Sequence, residues 1–376
     1  MNLRQKIEEA IRRTGPMPFS RYMEVCLYDP EFGYYSRTAE QFGKSGDFYT
    51  SSDVHAVFGR LLVRQFEEMW SVLGCPPEVE IVELGPGRGL FAQDVLDWSE
   101  KKFPHFFRAL HYLLVESSPT MRRKIESTLG RHLEAGKAFV ADSTGQANMP
   151  VRPRIIFANE FFDALPVDVI SARGELRVGV ENGRLVESWA GASAEELAYL
   201  DRYSVHPEAG ERVEVALSSW AYAAKLASSV DRGFLIIIDY GYTRDQQLAG
   251  RHRGTVMAYR QHSVSADPYQ APGEQDITAH VNFTVLADAL ARAGIEVQPL
   301  RTQSQFLLGV GEQTQFADAF EDCRLPQERA KVALQLKHLV TPAGMGETFH
   351  VLVGSKGMDH KAVSKLSGLS FGKGRM

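Results

Sequence analysis

Val79-Glu-Ile-Val-Glu83-Leu-Gly85-Pro-Gly87-Arg-Gly89-Leu-Phe91 is the stretch whose reading decides the fold. Its first six residues have the length and β-branched content of a buried parallel strand. Three alternating glycines follow, and then the start of a helical pattern. Glycine lets the chain bend sharply and lets backbone N–H groups approach a ligand without a Cβ in the way. The Gly-x-Gly-x-Gly spacing differs from the Gly-x-Gly-x-x-Gly of a dinucleotide site. No constellation for hydride transfer accompanies it, so an NAD-dependent dehydrogenase is disfavoured.

Outward from this turn, strand-sized apolar runs recur at His111–Val115, Ala138–Val140, Ile155–Ala158 and Phe234–Ile238. Counting Val79–Leu84, helical or loop stretches separate the first four of these five runs, as a doubly wound α/β sheet requires, and a long gap precedes the fifth. Residues 352–354 are expected to close the sheet. Upstream, Ile7, Ala10 and Ile11 form an apolar stripe, and 57–73 has helical periodicity ending at Gly74 and Pro76-Pro77. The expected organisation is an N-terminal helical, cofactor-covering region at 1–78, a first half-core at 79–169, and an insertion at 170–232. A second half-core at 233–355 and a mobile basic tail at 356–376 complete it. The insertion, with alternating segments at 175–180 and 212–215, reads as a lid or small β element.

The turn and the strand ends nominate a nucleoside site, because ligands of open α/β sheets collect beyond the carboxyl ends of the strands. Gly85, Gly87 and Gly89 can lie against the adenosyl and amino-acid parts of S-adenosylmethionine, and Glu83 can accept from its ammonium. Glu116, closing the second strand, can accept both ribose hydroxyls, and Asp142, after the third, can accept from the adenine amino group. Glu116 and Asp142 can equally cap the helices that follow. Gly43-Lys-Ser-Gly46 lacks the ending of a phosphate loop and reads as a flexible turn.

Across its 376 residues the chain carries a formal charge of −5, which gives no field for broad binding of nucleic acid or an anionic membrane. The basic clusters 122–124 and 251–253 read as solvated faces. Three scattered cysteines and histidines without ligand spacing give no support for a metal and suit a reducing compartment. The longest apolar run near a motif is strand-sized, so membrane insertion is not expected. The N-terminus carries acids among its bases, unlike a signal or transit peptide, and cytoplasm is the expected location.

At Asn159-Glu-Phe-Phe-Asp-Ala-Leu-Pro166 the chain resembles the MidA family of methyltransferases, whose mitochondrial members are complex I assembly factors that methylate arginine. The resemblance also runs through Gly46-Asp-Phe-Tyr-Thr-Ser51, Glu83–Gly89, Ile238-Asp-Tyr-Gly241 and Ala258-Tyr-Arg-Gln-His262. It continues over Asp276-Ile-Thr-Ala-His-Val-Asn-Phe283, Thr302-Gln, Phe306-Leu and Met345-Gly-Glu347. A departure falls at Asp53-Val-His-Ala. The resemblance implies a mostly parallel, seven-stranded class I methyltransferase sheet with S-adenosylmethionine as cofactor. It also implies a cofactor-covering loop that includes Gly46 and Thr50, and a protein substrate methylated on arginine. A small-molecule methyltransferase and a cofactor-binding assembly factor for a respiratory-type complex are the alternatives.

If arginine is the acceptor, carboxylates must grip a guanidinium that stays protonated and is a poor nucleophile. Glu160 and Asp163, on one face if their segment is helical, are the candidates, with Asn159 orienting donor or acceptor through its amide. The competing reading makes Asn159 a helix cap with Glu160 and Asp163 in the first turn. Asp239-Tyr240, His280, Tyr259-Arg260 and His262 are second-tier pocket candidates. Tyr34 and Tyr35 are expected to pack rather than react.

Overall fold

The computed structural model describes residues 2–36, 56–143, 152–248, 252–260 and 263–372. The chain divides into two compact units, each assembled from separated stretches. One holds 56–160, 226–240 and 290–372, and the other holds 2–36, 161–225 and the described part of 241–289.

The first unit carries a sheet that is mixed and mostly parallel, as expected. Among the described residues it has nine strands rather than seven, because Val281–Asn282 pairs with Gly233–Tyr242 and Arg301–Thr302 with Phe349–Lys356. Across it the strands run Glu296–Val297, Phe349–Lys356, Gly233–Tyr242, Arg154–Asn159, Val79–Leu84, Leu110–Val115 and Ala138–Ala141. The last five are mutually parallel, while Phe349–Lys356 runs antiparallel beside Gly233–Tyr242. Val79–Leu84 is buried at every position, so its apolar residues do not alternate with exposed ones. Of its two acids, Glu80 is matched by the Arg154 guanidinium at 2.5 Å, and Glu83 accepts from the Tyr112 hydroxyl. Helix Ala56–Val72 presents Phe58, Leu61, Leu62, Phe66 and Met69 to this core. Phe91, one residue into helix Leu90–Lys102, stacks on Phe157 with ring centroids 4.6 Å apart.

The tail differs from expectation. After Phe349–Lys356 the chain forms two short helices, His360–Val363 and Ser367–Ser370, and Val363, Leu366 and Leu369 join the core. Ser367 and Gly368 donate their backbone N–H groups to Glu68 and Gln65, both at 2.9 Å. The basic, Gly/Ser-containing composition had masked this apolar triplet.

The second unit is built on a five-stranded antiparallel sheet. Its order is Met17–Pro18, Gly174–Glu181, Asp168–Ser171 and Val213–Val215, with Arg184–Ala190 also paired to Gly174–Glu181. The hairpin turns at Asn182-Gly183, where both residues have positive φ, as a two-residue turn of this hand demands. Helices Leu3–Thr14 and Phe19–Tyr28 bury Leu3, Ile7, Ile11, Phe19, Tyr22 and Met23 in this unit's own core. A small sheet of Ser263–Ser265, Met257–Arg260 and Asp276–Thr278 completes it.

The β element expected at 170–232 is therefore present, but it belongs to a larger unit. The expected N-terminal region 1–78 is not one region: its described residues fall in both units. Among the described residues no helix is long and apolar enough to cross a membrane.

Candidate active site

Glu83 and Glu116 close neighbouring parallel strands of the first unit. Val82 pairs with Leu113 and Leu84 with Val115, so the two acids leave the sheet at the same edge. The turn between strand and helix is held by its backbone: Gly85 donates to the Val115 carbonyl at 3.1 Å, and Gly89 to Pro86 at 2.8 Å. Gly85, Gly87 and Gly89 all have positive φ, a region that side chains rarely tolerate.

The three glycines do different things. Among the described residues no atom lies within 4 Å of a Cβ placed at Gly87, so a side chain there would enter the space beside the bend. A Cβ at Gly89 would instead face Ile125 and Leu129 at 3.4–3.6 Å. Gly89 thus lets helix Pro119–Glu134 approach the turn.

Glu116 is buried, and its carboxylate accepts from the backbone N–H of Ser118 at 2.7 Å. The cap of helix Pro119–Glu134 is Ser118, whose side chain accepts from Met121, so the capping alternative for Glu116 is overturned. Burial pushes Glu116 up to about 7, against hydrogen bonds from backbone N–H groups that include Gly87. Burial pushes Glu83 further, to about 8, opposed by the Tyr112 hydroxyl and reinforced by the charge of Glu116. A pair of buried acids in that state suits a cationic ligand, which stabilises their ionised forms. Asp142 follows strand Ala138–Ala141 in an exposed bend. Glu83, Gly85, Gly87 and Glu116 therefore fit a cofactor with a cationic amino-acid end and a ribose. Gly46, Thr50 and Ser51 lie outside the described residues, as does His262.

Strand Arg154–Asn159 pairs with the other side of Val79–Leu84, with Leu84 opposite Ala158. Asn159 and Glu160 therefore leave the sheet beside the glycine turn. The expected helix is absent here. Glu160 still donates its N–H to Ile238 at 3.0 Å, as an extension of the sheet, and then adopts φ +49°. Asn159 is consequently no helix cap, and its amide donates to the Glu160 carboxylate at 3.2 Å. A non-glycine residue in the left-handed region is strained by about 1–2 kcal/mol, and such strain concentrates at functional sites.

Asp163 belongs to the second unit, where it is buried in an irregular turn and its carbonyl accepts from Ala279 at 2.9 Å. Tyr35, expected only to pack, donates its hydroxyl to buried Asp276 at 2.8 Å and lies 5.5 Å, ring to ring, from Tyr28. Tyr259 sits opposite Asp276 in the small sheet. Burial, with the charges of Asp276 and Asp163, holds the Tyr35 hydroxyl well above its usual range. Burial and the same two acids raise that of Tyr259. This unit thus collects two carboxylates and phenolic rings, a chemistry that suits a planar cation. The Tyr35–Asp276 bond spans 241 residues of sequence, and no local spacing announces it. Arg260 is engaged with Glu274 at 2.6 Å on the surface, His280 is exposed, and Asp239 is buried with its carboxylate accepting from the Tyr240 N–H. The carboxylates of Asp168, Glu175 and Glu196 also cluster within 4.8 Å, a grouping that sequence spacing missed. Glu175 there accepts from Arg177 and Glu196 from the Ser193 N–H.

A family model described as "Putative S-adenosyl-L-methionine-dependent methyltransferase" matches residues 61–300, and the chain belongs to that family. It is an S-adenosylmethionine-dependent methyltransferase. Among curated relatives, the mitochondrial protein arginine methyltransferase NDUFAF7 of Danio rerio is 30% identical, covering 89% of this chain and 82% of the relative. The Drosophila melanogaster homologue is 28% identical over 93% of this chain and 84% of its own. A Burkholderia thailandensis protein solved with S-adenosyl-homocysteine superposes with a TM-score of 0.82 at 28% identity, covering 96% of this chain and 94% of that one. The cytoplasmic location expected from composition is contradicted, because these curated relatives are named mitochondrial proteins. Net charge and cysteine spacing do not encode a compartment.

Proposed function

We propose that the chain transfers a methyl group from S-adenosylmethionine to a guanidinium nitrogen of arginine in a protein partner. The observation that carries this is the placement of Glu160, strained and tied to Asn159, at the sheet edge beside the Gly85–Gly87 turn. The names of the relatives agree with it. When bound, the cofactor supplies a methyl group on a sulfonium, open to in-line displacement. The protein's own part is alignment at near-attack distance. Asn159 holds the Glu160 carboxylate, which accepts guanidinium N–H groups and concentrates charge where it is needed. A Glu160 oxygen takes the departing proton late, since a free guanidinium does not deprotonate in water. Asp163, the other carboxylate nominated from the sequence, belongs to the second unit. The same reading takes the seven strands of the main path as the class I arrangement and the 170–232 element as a lid. It also assigns Glu116 to the ribose, Glu83 to the amino-acid end, Asp142 to the adenine, and Gly46 and Thr50 to the covering loop.

The test is incubation with methyl-labelled S-adenosylmethionine and a cell extract, followed by acid hydrolysis of the labelled material. The expected product is methylarginine in protein. Glu160→Gln should lower its rate by roughly 10²-fold or more, the scale of a lost acid–base group, with S-adenosylhomocysteine affinity retained. Label confined to small molecules, or an undiminished rate in the variant, overturns the proposal.

A further inference from the structure

Strand Leu110–Val115 lies inside the sheet, where aliphatic side chains satisfy packing without polar atoms. Tyr112 departs from that rule. It is wholly buried, and its hydroxyl donates to Glu83 Oε2 at 2.9 Å. The register explains the reach. Tyr112 pairs with Ile81 on one side and Ala138 on the other. Glu83, two residues beyond Ile81, shares its face of the sheet. The phenol ring therefore runs toward the carboxyl edge, where the glycine turn begins. A buried tyrosine hydroxyl needs a partner, and a phenylalanine would fill the same volume without one. Burial and the Glu83 charge hold the Tyr112 hydroxyl well above its ordinary range, so it stays a donor.

We propose that Tyr112 is the positioning residue of the cofactor site, its hydroxyl pinning the Glu83 carboxylate toward the cationic amino-acid end of S-adenosylmethionine. This rests on the Gly85–Gly87 turn being the cofactor site. Two consequences follow from the chemistry. Glu83 stands protonated in the ligand-free protein near neutral pH, so binding of a cation drives a proton off it and affinity rises with pH. The Tyr112 bond favours the ionised carboxylate, so losing it should move that pH dependence upward. Adenosine lacks the amino-acid end and should be indifferent to Tyr112.

The experiment is calorimetric titration of the full chain, wild type and Tyr112→Phe, with S-adenosylmethionine, S-adenosylhomocysteine and adenosine between about pH 6.5 and 9. Buffers of different ionisation enthalpy count the protons released. At neutral pH the variant should bind both amino-acid-bearing ligands roughly tenfold more weakly, the lower range for a hydrogen bond to a charged group. Its affinity should level off at a higher pH, with adenosine unchanged. Equal weakening of adenosine, or an unaltered pH profile, overturns the proposal. Should Tyr112→Phe fail to fold, Glu83→Gln decides, because the amide still accepts from Tyr112 but cannot titrate. Its ligand affinity must lose the part of the pH dependence that Glu83 contributes, leaving that of Glu116 and of the ligand's own amine, and retention of the full wild-type profile overturns the proposal. Failure of the wild type to bind S-adenosylhomocysteine would instead remove the cofactor assignment beneath it.

Discussion

Replacing Gly87 by valine separates the two demands on the glycine turn, folding and ligand approach. A Cβ at this position meets no atom of the described residues within 4 Å, so the added side chain clashes with none of them in the ligand-free protein. What it does disturb is the backbone, held at φ +53°. A left-handed conformation costs an ordinary residue about 1–2 kcal/mol, with a β-branched side chain at the upper end. The variant should therefore melt a few degrees below wild type. Ligand at a hundred times its dissociation constant stabilises the wild type by about 2.7 kcal/mol. Thermal melts with and without S-adenosylhomocysteine read both quantities at once. The variant should lose the ligand-induced shift while keeping a cooperative transition. Gly59→Val is the contrasting control, because its Cβ would sit 2.8 Å from that of Asp94 and destabilise the protein by packing. An undiminished ligand shift in Gly87→Val would refute the placement of the cofactor over this bend.

Glu116→Ala should weaken S-adenosylhomocysteine by roughly 1.5–3 kcal/mol, and an unchanged dissociation constant would remove the ribose from this acid. Glu83 binds its proton more tightly folded than unfolded, so its contribution to the stability of the ligand-free protein is fully present below its unfolded pKa and is lost as pH rises toward about 8. Glu83→Gln should flatten that decline by up to roughly 5 kcal/mol, and parallel urea-denaturation curves for the two proteins at acid and mildly alkaline pH would contradict it. Leu366→Ala should destabilise by about 2–5 kcal/mol, because the tail is core; a change near zero by denaturation would restore the mobile tail.

The sheet and the glycine turn were legible because buried parallel strands leave apolar runs and sharp bends leave glycines. Val79–Leu84 is found at the expected bounds, and Leu110–Val115 and Ala138–Ala141 within one residue. The helix expected after Asn159 was misread because Glu160 and Asp163 have helical spacing. One further bond to Ile238 keeps the chain extended, and the left-handed Glu160 then redirects it. The division into two units was hidden for a related reason. Periodicity marks the apolar faces of Leu3–Thr14 and Ala56–Val72 but does not say which core each face meets. Tyr112 carries a faint signal, a phenol within an aliphatic run, which acquires meaning only once the register sets it diagonal to Glu83.

The most direct measurement is the crystal structure of this protein with S-adenosylhomocysteine. Ligand density should lie over Gly87, with the ribose hydroxyls in hydrogen-bonding reach of Glu116 and the amino-acid end toward Glu83. Density elsewhere, with the bend at Gly87 left uncovered, would contradict the account.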